Sequence, residues 1–127
     1  MTFLGAAAVA GAAVLAGTGT ANAYYPYDVE LGSCYGYLDT KITGNADEAR
    51  AVGRQDWFEQ SGICRFWLER KTPDYAYKRV SDVYTSPSGL DVKRTGWHWN
   101  GSPSDSVLSR VCVKNVSTNQ TKCGTGH

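Results

Sequence analysis

From Ser33 onward, apolar and polar positions alternate with a period of two, the repeat of a strand rather than of a helix. Ile63 to Lys71 shows this most clearly: Cys64, Phe66 and Leu68 fall on one face, Arg65, Trp67 and Glu69 on the other. Ser33 to Ile42 sets Cys34, Gly36 and Leu38 against Tyr35, Tyr37 and Asp39. Tyr75 to Tyr84 sets Tyr75, Tyr77 and Arg79 against Ala76, Lys78 and Val80, and Leu90 to Trp99 and Ser106 to Val116 read as further strands. Turn chemistry separates these runs at Gly44 to Glu48, Thr72-Pro73-Asp74, Ser86 to Gly89 and Asn100 to Pro103. Val116 to Gln120 reads as the tip of a last hairpin that returns through Thr121 to Gly124. Ala46 to Gln60 is ambiguous, because its acids and alanines would open a short helix that Gly53 interrupts. Short strands between frequent turns predict an all-β domain over 33–127, a small antiparallel β-sandwich or barrel.

The start of the chain departs from this pattern. Met1 to Ala23 is uncharged, apolar and alanine-rich, and ends in Ala21-Asn22-Ala23. That is the apolar region and small-residue cleavage site of a secretory signal peptide, although no Lys or Arg precedes Lys41. Phe3 to Ala16 is short of the roughly 20 residues a membrane-spanning helix needs. The expectation is cleavage after Ala23 and secretion of a mature chain beginning Tyr24-Tyr25-Pro26-Tyr27. Pro26 favours extended backbone before it and donates no ladder hydrogen bond, so 24–32 reads as an extended N-terminal arm. Its residues Tyr24, Tyr25, Pro26, Tyr27, Asp28, Val29, Glu30 and Leu31 are candidate partner contacts, since tyrosine is enriched at interfaces and an extended segment docks in grooves or joins a sheet edge. The alternative is a loose tail, or a strand folded onto its own domain.

Net charge is +1, with acids and bases interspersed, which gives no footprint for nucleic acid and no membrane-surface stripe. All four cysteines, Cys34, Cys64, Cys112 and Cys123, follow the apolar start, and an even number in an exported chain implies two disulfides. Three pairings are open. The spacing suggests Cys112 with Cys123, closing the last hairpin, and Cys34 with Cys64, tying the first strand to a central one. A zinc site is disfavoured, with no CxxC and only His98 and His127 as nitrogen ligands; no metal and no cofactor is expected.

No catalytic motif emerges. A serine triad lacks a G-x-S-x-G elbow, no phosphate loop or calcium loop is present, and every cysteine has a partner. The carboxylate pairs Asp28/Glu30 and Asp56/Glu59 read as exposed acids. A small secreted ribonuclease would need a glutamate, Glu59 or Glu69, beside His98 and Arg65; this is the enzyme alternative. Asn100-Gly101-Ser102, Asn115-Val116-Ser117 and Asn119-Gln120-Thr121 match glycosylation sites and read as turn chemistry. The densest chemistry is Gly96-Trp97-His98-Trp99-Asn100. On a strand, Trp97 and Trp99 share a face, and exposed they would form a stacking platform for sugar, the basis of a carbohydrate-binding alternative. The favoured reading places them, with Trp57, Phe58 and Trp67, in the core, Trp67 being the nearest to exposure because it shares a face with Arg65 and Glu69; if exposed, Trp67, Trp97 and Trp99 are the candidate surface contacts.

Three segments, Arg79-Val80-Ser81 to Tyr84-Thr85, Thr95 to Gly101, and Arg110-Val111-Cys112-Val113 to Lys122-Cys123-Gly124, resemble small exported actinobacterial β proteins. Within that group the chain is similar to the small adaptor subunit of the antibacterial umbrella toxin particles of Streptomyces. The resemblance implies a subunit that bridges a large repeat-bearing toxin to a lectin subunit. Its N-terminal extension would enter a cleft of the lectin subunit's trypsin-like domain, and Tyr24 to Leu31 stands where that extension would be. The sequence is therefore expected to encode a secreted, non-catalytic, protein-binding adaptor.

Overall fold

A computed structural model describes residues 27–56, 63–88, 91–102 and 105–127. Every regular element among them is a strand: β1 (Val29–Leu31), β2 (Cys34–Thr43), β3 (Ala46–Gln55), β4 (Cys64–Thr72), β5 (Tyr75–Arg79), β6 (Tyr84–Thr85), β7 (Lys93–Arg94), β8 (His98–Trp99), β9 (Leu108–Asn115) and β10 (Gln120–Cys123). They form two antiparallel sheets, one ordered β1-β2-β3 with β7 and β8 both on β3, the other ordered β10-β9-β4 with β5 and β6 both on β4. The predicted all-β antiparallel fold, a small sandwich or barrel, holds. On one side it closes toward a barrel, because the tail after β10 continues along β9 through Gly124 N–H donating to Val111 C=O and lies against the backbone of Tyr27 and Asp28.

The core is the set of inward positions that the alternation marks. Cys34, Ala51, Cys64, Phe66, Leu68, Val111 and Val113 are all fully buried, and Val29 joins them from β1. Cys34–Cys64 links β2 to β4 and so crosslinks the two sheets, whereas Cys112–Cys123 links direct ladder partners of β9 and β10 with Cα atoms 4.0 Å apart. Both are the pairings the spacing suggested.

Within the ambiguous segment, Ala46–Gln55 is a strand rather than a helix, and 57–60 lie outside the described residues. β3 pairs with β2 along its whole length through the Gly44-Asn45 turn, where Gly44 takes a φ of 64°. Its small inward residues have a packing reason. Gly36 and Gly53 are ladder partners, and a Cβ on Gly53 would lie 2.5 Å from Phe66 Cγ, while one on Gly36 would lie 2.8 Å from Val111 Cγ1. Gly53 is the socket for Phe66, the largest fully buried side chain of the second sheet, and Gly36 makes room for Val111 and Val113 beside it. Leu90 to Trp99, read as one strand, is instead two short pieces, β7 and β8, both on β3.

That interruption recurs in both sheets. Between β7 and β8, Thr95 N–H donates to Ala51 C=O at 2.9 Å, and the Thr95 hydroxyl accepts the Ala51 N–H at 3.0 Å in place of a carbonyl. Between β5 and β6, Val80 N–H donates to Leu68 C=O, and the Ser81 hydroxyl accepts the Leu68 N–H at 2.8 Å. Each hydroxyl also donates to the carbonyl of the next residue. Removing either oxygen orphans a buried amide. Ser81→Ala and Thr95→Ala should each cost about 2 kcal/mol. Ser81→Thr and Thr95→Ser, which keep the oxygen, should cost much less, as read from urea midpoints and from faster exchange of the Leu68 or Ala51 amide.

Candidate functional site

The outward face of β4 carries Arg65, Trp67 and Glu69, and the antiparallel register sets Lys114, Cys112 and Arg110 of β9 beside them in that order. On the other side, β5 sets Arg79 opposite Glu69 and β6 sets Thr85 opposite Arg65. Glu69 organises the centre. One carboxylate oxygen accepts the Trp67 indole N–H at 2.9 Å, and the other accepts Arg110 Nε and Nη2 at 2.9 and 2.7 Å. The Arg110 guanidinium in turn lies 3.9 Å from the ring centre of Tyr77. Burial pushes the Tyr77 phenol up, with the Arg110 charge opposing. Trp67 is thereby held in place by a bonded chain that runs across three strands, with the Cys112–Cys123 bridge as its ladder neighbour.

Around Trp67 the surface is concave, enclosing about 460 Å³. Arg65, Arg79 and Lys114 line it, and the exposed Val83 and Val116, at 42% and 43% exposure, form apolar edges. Val83 comes from the stretch where the Ser81 hydroxyl takes the place of a ladder carbonyl. Because Glu69 is engaged by Arg110 and Trp67, the concavity carries an excess of positive charge. Among the described residues, neither the Arg79 guanidinium nor the Lys114 ammonium has an ion-pair partner. Of these residues the sequence marked only Trp67 as a contact. Arg79, Val83, Lys114 and Val116 were missed because they come together only through the β5-β4-β9 register.

The other two tryptophans overturn the core reading. Trp97 is half-buried, with Lys41 Nζ at 4.5 Å and Arg50 Cζ at 4.2 Å from its ring centre. Arg50 is itself bonded to Asp39 at 2.9 Å, and Lys41 pairs with Glu48 at 3.8 Å. Trp99 is 47% exposed, and Arg70 donates to its carbonyl at 2.8 Å. Cations cover the ring of Trp97, so the two do not form a bare stacking platform. Aliphatic side chains and Phe66 fill the interior in their stead. Trp57 and Phe58 lie outside the described residues.

The arm divides. Tyr24, Tyr25 and Pro26 lie outside the described residues. Tyr27 stacks on His127 with ring centres 4.4 Å apart, and Asp28 accepts a hydrogen bond from the Tyr35 hydroxyl. Val29, Glu30 and Leu31 are strand β1 on β2, with Val29 only 3% exposed. The inner half of the segment thus belongs to the domain, because Val29 adds apolar burial that a free arm would forgo. Burial raises the Asp28 carboxyl above its ordinary 3.8, with the Tyr35 bond opposing and Glu30 adding to the rise. The folded chain therefore binds this proton more tightly than the unfolded chain. Its contribution to stability grows as pH falls through the raised value and is complete below 3.8. Relative to Asp28→Asn, the parent chain should gain stability between neutral pH and about pH 4, read as the difference in urea midpoints.

The described members of the ribonuclease set fall on both sheets. Glu69 and Arg65 lie on the outward face of β4, the Glu69 carboxylate is taken up by Trp67 and Arg110, and His98 belongs to the other sheet; Glu59 is outside the described residues. All four cysteine sulfurs are in disulfides, which leaves no thiolate for a metal. Asn100, read as turn chemistry, is 6% exposed, accepts the Ser109 hydroxyl and donates to the His127 carbonyl. No protein-family model matches the chain, and no curated protein or solved structure matches it either.

Proposed function

We infer that this chain is a secreted, non-catalytic module whose work is to bind another protein. The observation that carries this reading is the outward face of the second sheet. It presents a tryptophan fixed by its own carboxylate partner, set among arginines and apolar edges, and that is the composition and rigidity of interface anchors. Two disulfides fit an extracellular protein, and Met1 to Ala23 supplies the export signal. By the sequence resemblance, the partners are a lectin-type subunit and a large toxin subunit of an antibacterial particle, joined by this adaptor. Tyr24 to Pro26 is then the part of the arm left to reach a partner, since Tyr27 stacks on His127, Asp28 accepts from Tyr35 and Val29 to Leu31 is committed to β1.

The test is recovery of the tagged mature chain from the culture supernatant of its own exporting cell, followed by light scattering. The expected result is a stoichiometric complex that Trp67→Ala weakens and that loses one partner when Tyr24 to Pro26 are deleted. Recovery of the chain at its own mass alone, or turnover of RNA by the purified chain with dependence on His98, overturns the reading.

A further inference from the structure

We propose that the concave face around Trp67 receives an extended, acidic segment of a partner protein, with two carboxylates flanking an apolar residue. The inference rests on the protein-binding reading and adds the chemistry of what is bound. Charge complementarity carries it. The one acid lining the concavity, Glu69, is neutralised by Arg110, while Arg79 and Lys114 keep unpaired charge on opposite sides of Trp67 among the described residues. These two cations stand on the strands that flank β4 and are offset by four positions along it, two to either side of Trp67, because Arg79 pairs with Glu69 and Lys114 with Arg65. Ladder geometry puts their backbones roughly 16 Å apart, about 13 Å of it along β4, with Trp67 between them.

An extended peptide lying along β4 covers that stretch of about 13 Å in four residue steps, the long Arg79 and Lys114 side chains reach in from either flank, and its period of two turns residues one, three and five to the same side. Acids at the first and fifth positions would meet Arg79 and Lys114. An aliphatic residue at the third would lie on the Trp67 indole between Val83 and Val116. Basic segments are repelled, and neutral ones leave the two cations uncompensated.

The experiment uses the full mature chain with its disulfides intact and the blocked pentapeptide Glu-Ser-Leu-Ser-Glu as probe. Its Gln-Ser-Leu-Ser-Gln and Lys-Ser-Leu-Ser-Lys counterparts serve as controls. Binding is followed by the shift of the Trp67 indole N–H resonance. The acidic peptide is expected to bind, the other two not, and R79E/K114E is expected to weaken binding about tenfold or more. The charge-neutral R79Q/K114Q, with far-UV circular dichroism as the fold check, should give a smaller loss. Equal response to all three peptides, no response to the acidic one, or indifference to both variants overturns the proposal. The supernatant complex separates the two readings. A complex that R79E/K114E leaves intact defeats the acidic-segment chemistry alone, whereas acidic-peptide binding without any complex defeats the adaptor reading alone.

Discussion

A chain in which Cys34 and Cys64 are both alanine is expected to lose its cooperative fold at 37 °C. The bridge spans a sequence separation of 30, and the loop-entropy argument assigns such a crosslink about 3.6 kcal/mol. Both cysteines are fully buried, so their removal also leaves voids beside Phe66 and Leu68. More important is what the bridge joins. It holds β2 to β4, and among the described residues no strand of one sheet pairs with a strand of the other, the isolated Gln55–Ser88 bridge after β6 aside. Cys112–Cys123 has a separation of 11, worth about 2.8 kcal/mol on the same argument, and it repeats a connection that β9 and β10 already make. C112A/C123A should therefore stay folded in urea titrations, while the Trp67 face beside it loosens and its indole resonance broadens. A lower urea midpoint for C112A/C123A than for C34A/C64A would contradict the assignment of the inter-sheet bridge as the main crosslink.

Gly53→Ala should destabilise the domain by about 3 kcal/mol, an unusually large effect for one added methyl. Elsewhere in a strand the change is neutral or mildly stabilising, because alanine restricts the unfolded chain. Here the methyl would lie 2.5 Å from Cγ and 2.9 Å from Cε1 of a ring that has no exposed surface to yield into. Gly36→Ala should cost less, since the atoms it meets are methyl ends of Val111 and Val113 at 2.8 and 3.0 Å. If the socket is the cause, Phe66→Leu should partly relieve Gly53→Ala, so that the double variant loses less than the two single losses added together. Strict additivity in urea midpoints would place the effect elsewhere.

Much of this architecture could be read from the chain because alternation reports directly on which face is buried. Cys64, Phe66 and Leu68 point inward as the pattern required, and the cysteine spacing matched both bridges. The reading stalled at Ala46 to Gln60, which holds the strand Ala46–Gln55, because alanine and glycine argue weakly for a strand. Their presence there answers to Phe66 in the opposite sheet, a tertiary demand that no local propensity contains. Trp97 was misplaced for a related reason: an aromatic side chain fits a core by volume, but Lys41 and Arg50 offer it a partly wet site with cation contacts. The candidate face was least legible. Arg79 and Lys114 lie 35 positions apart in the chain and share a surface only because β5 and β9 flank β4.

The hydroxyl interruptions at Ser81 and Thr95 also bear on how molecules of this chain behave toward one another. Each falls on an outer margin of its sheet, so neither margin offers a long, regular row of free amides and carbonyls. The pieces on either side are short, and Lys78, Arg79, Lys93 and Arg94 put positive charge on them. A second copy arriving edge to edge would find no template to extend and would meet like charge, which is how β proteins are kept from stacking into fibrils. Concentrated solutions of the mature chain should accordingly stay free of amyloid-type aggregates.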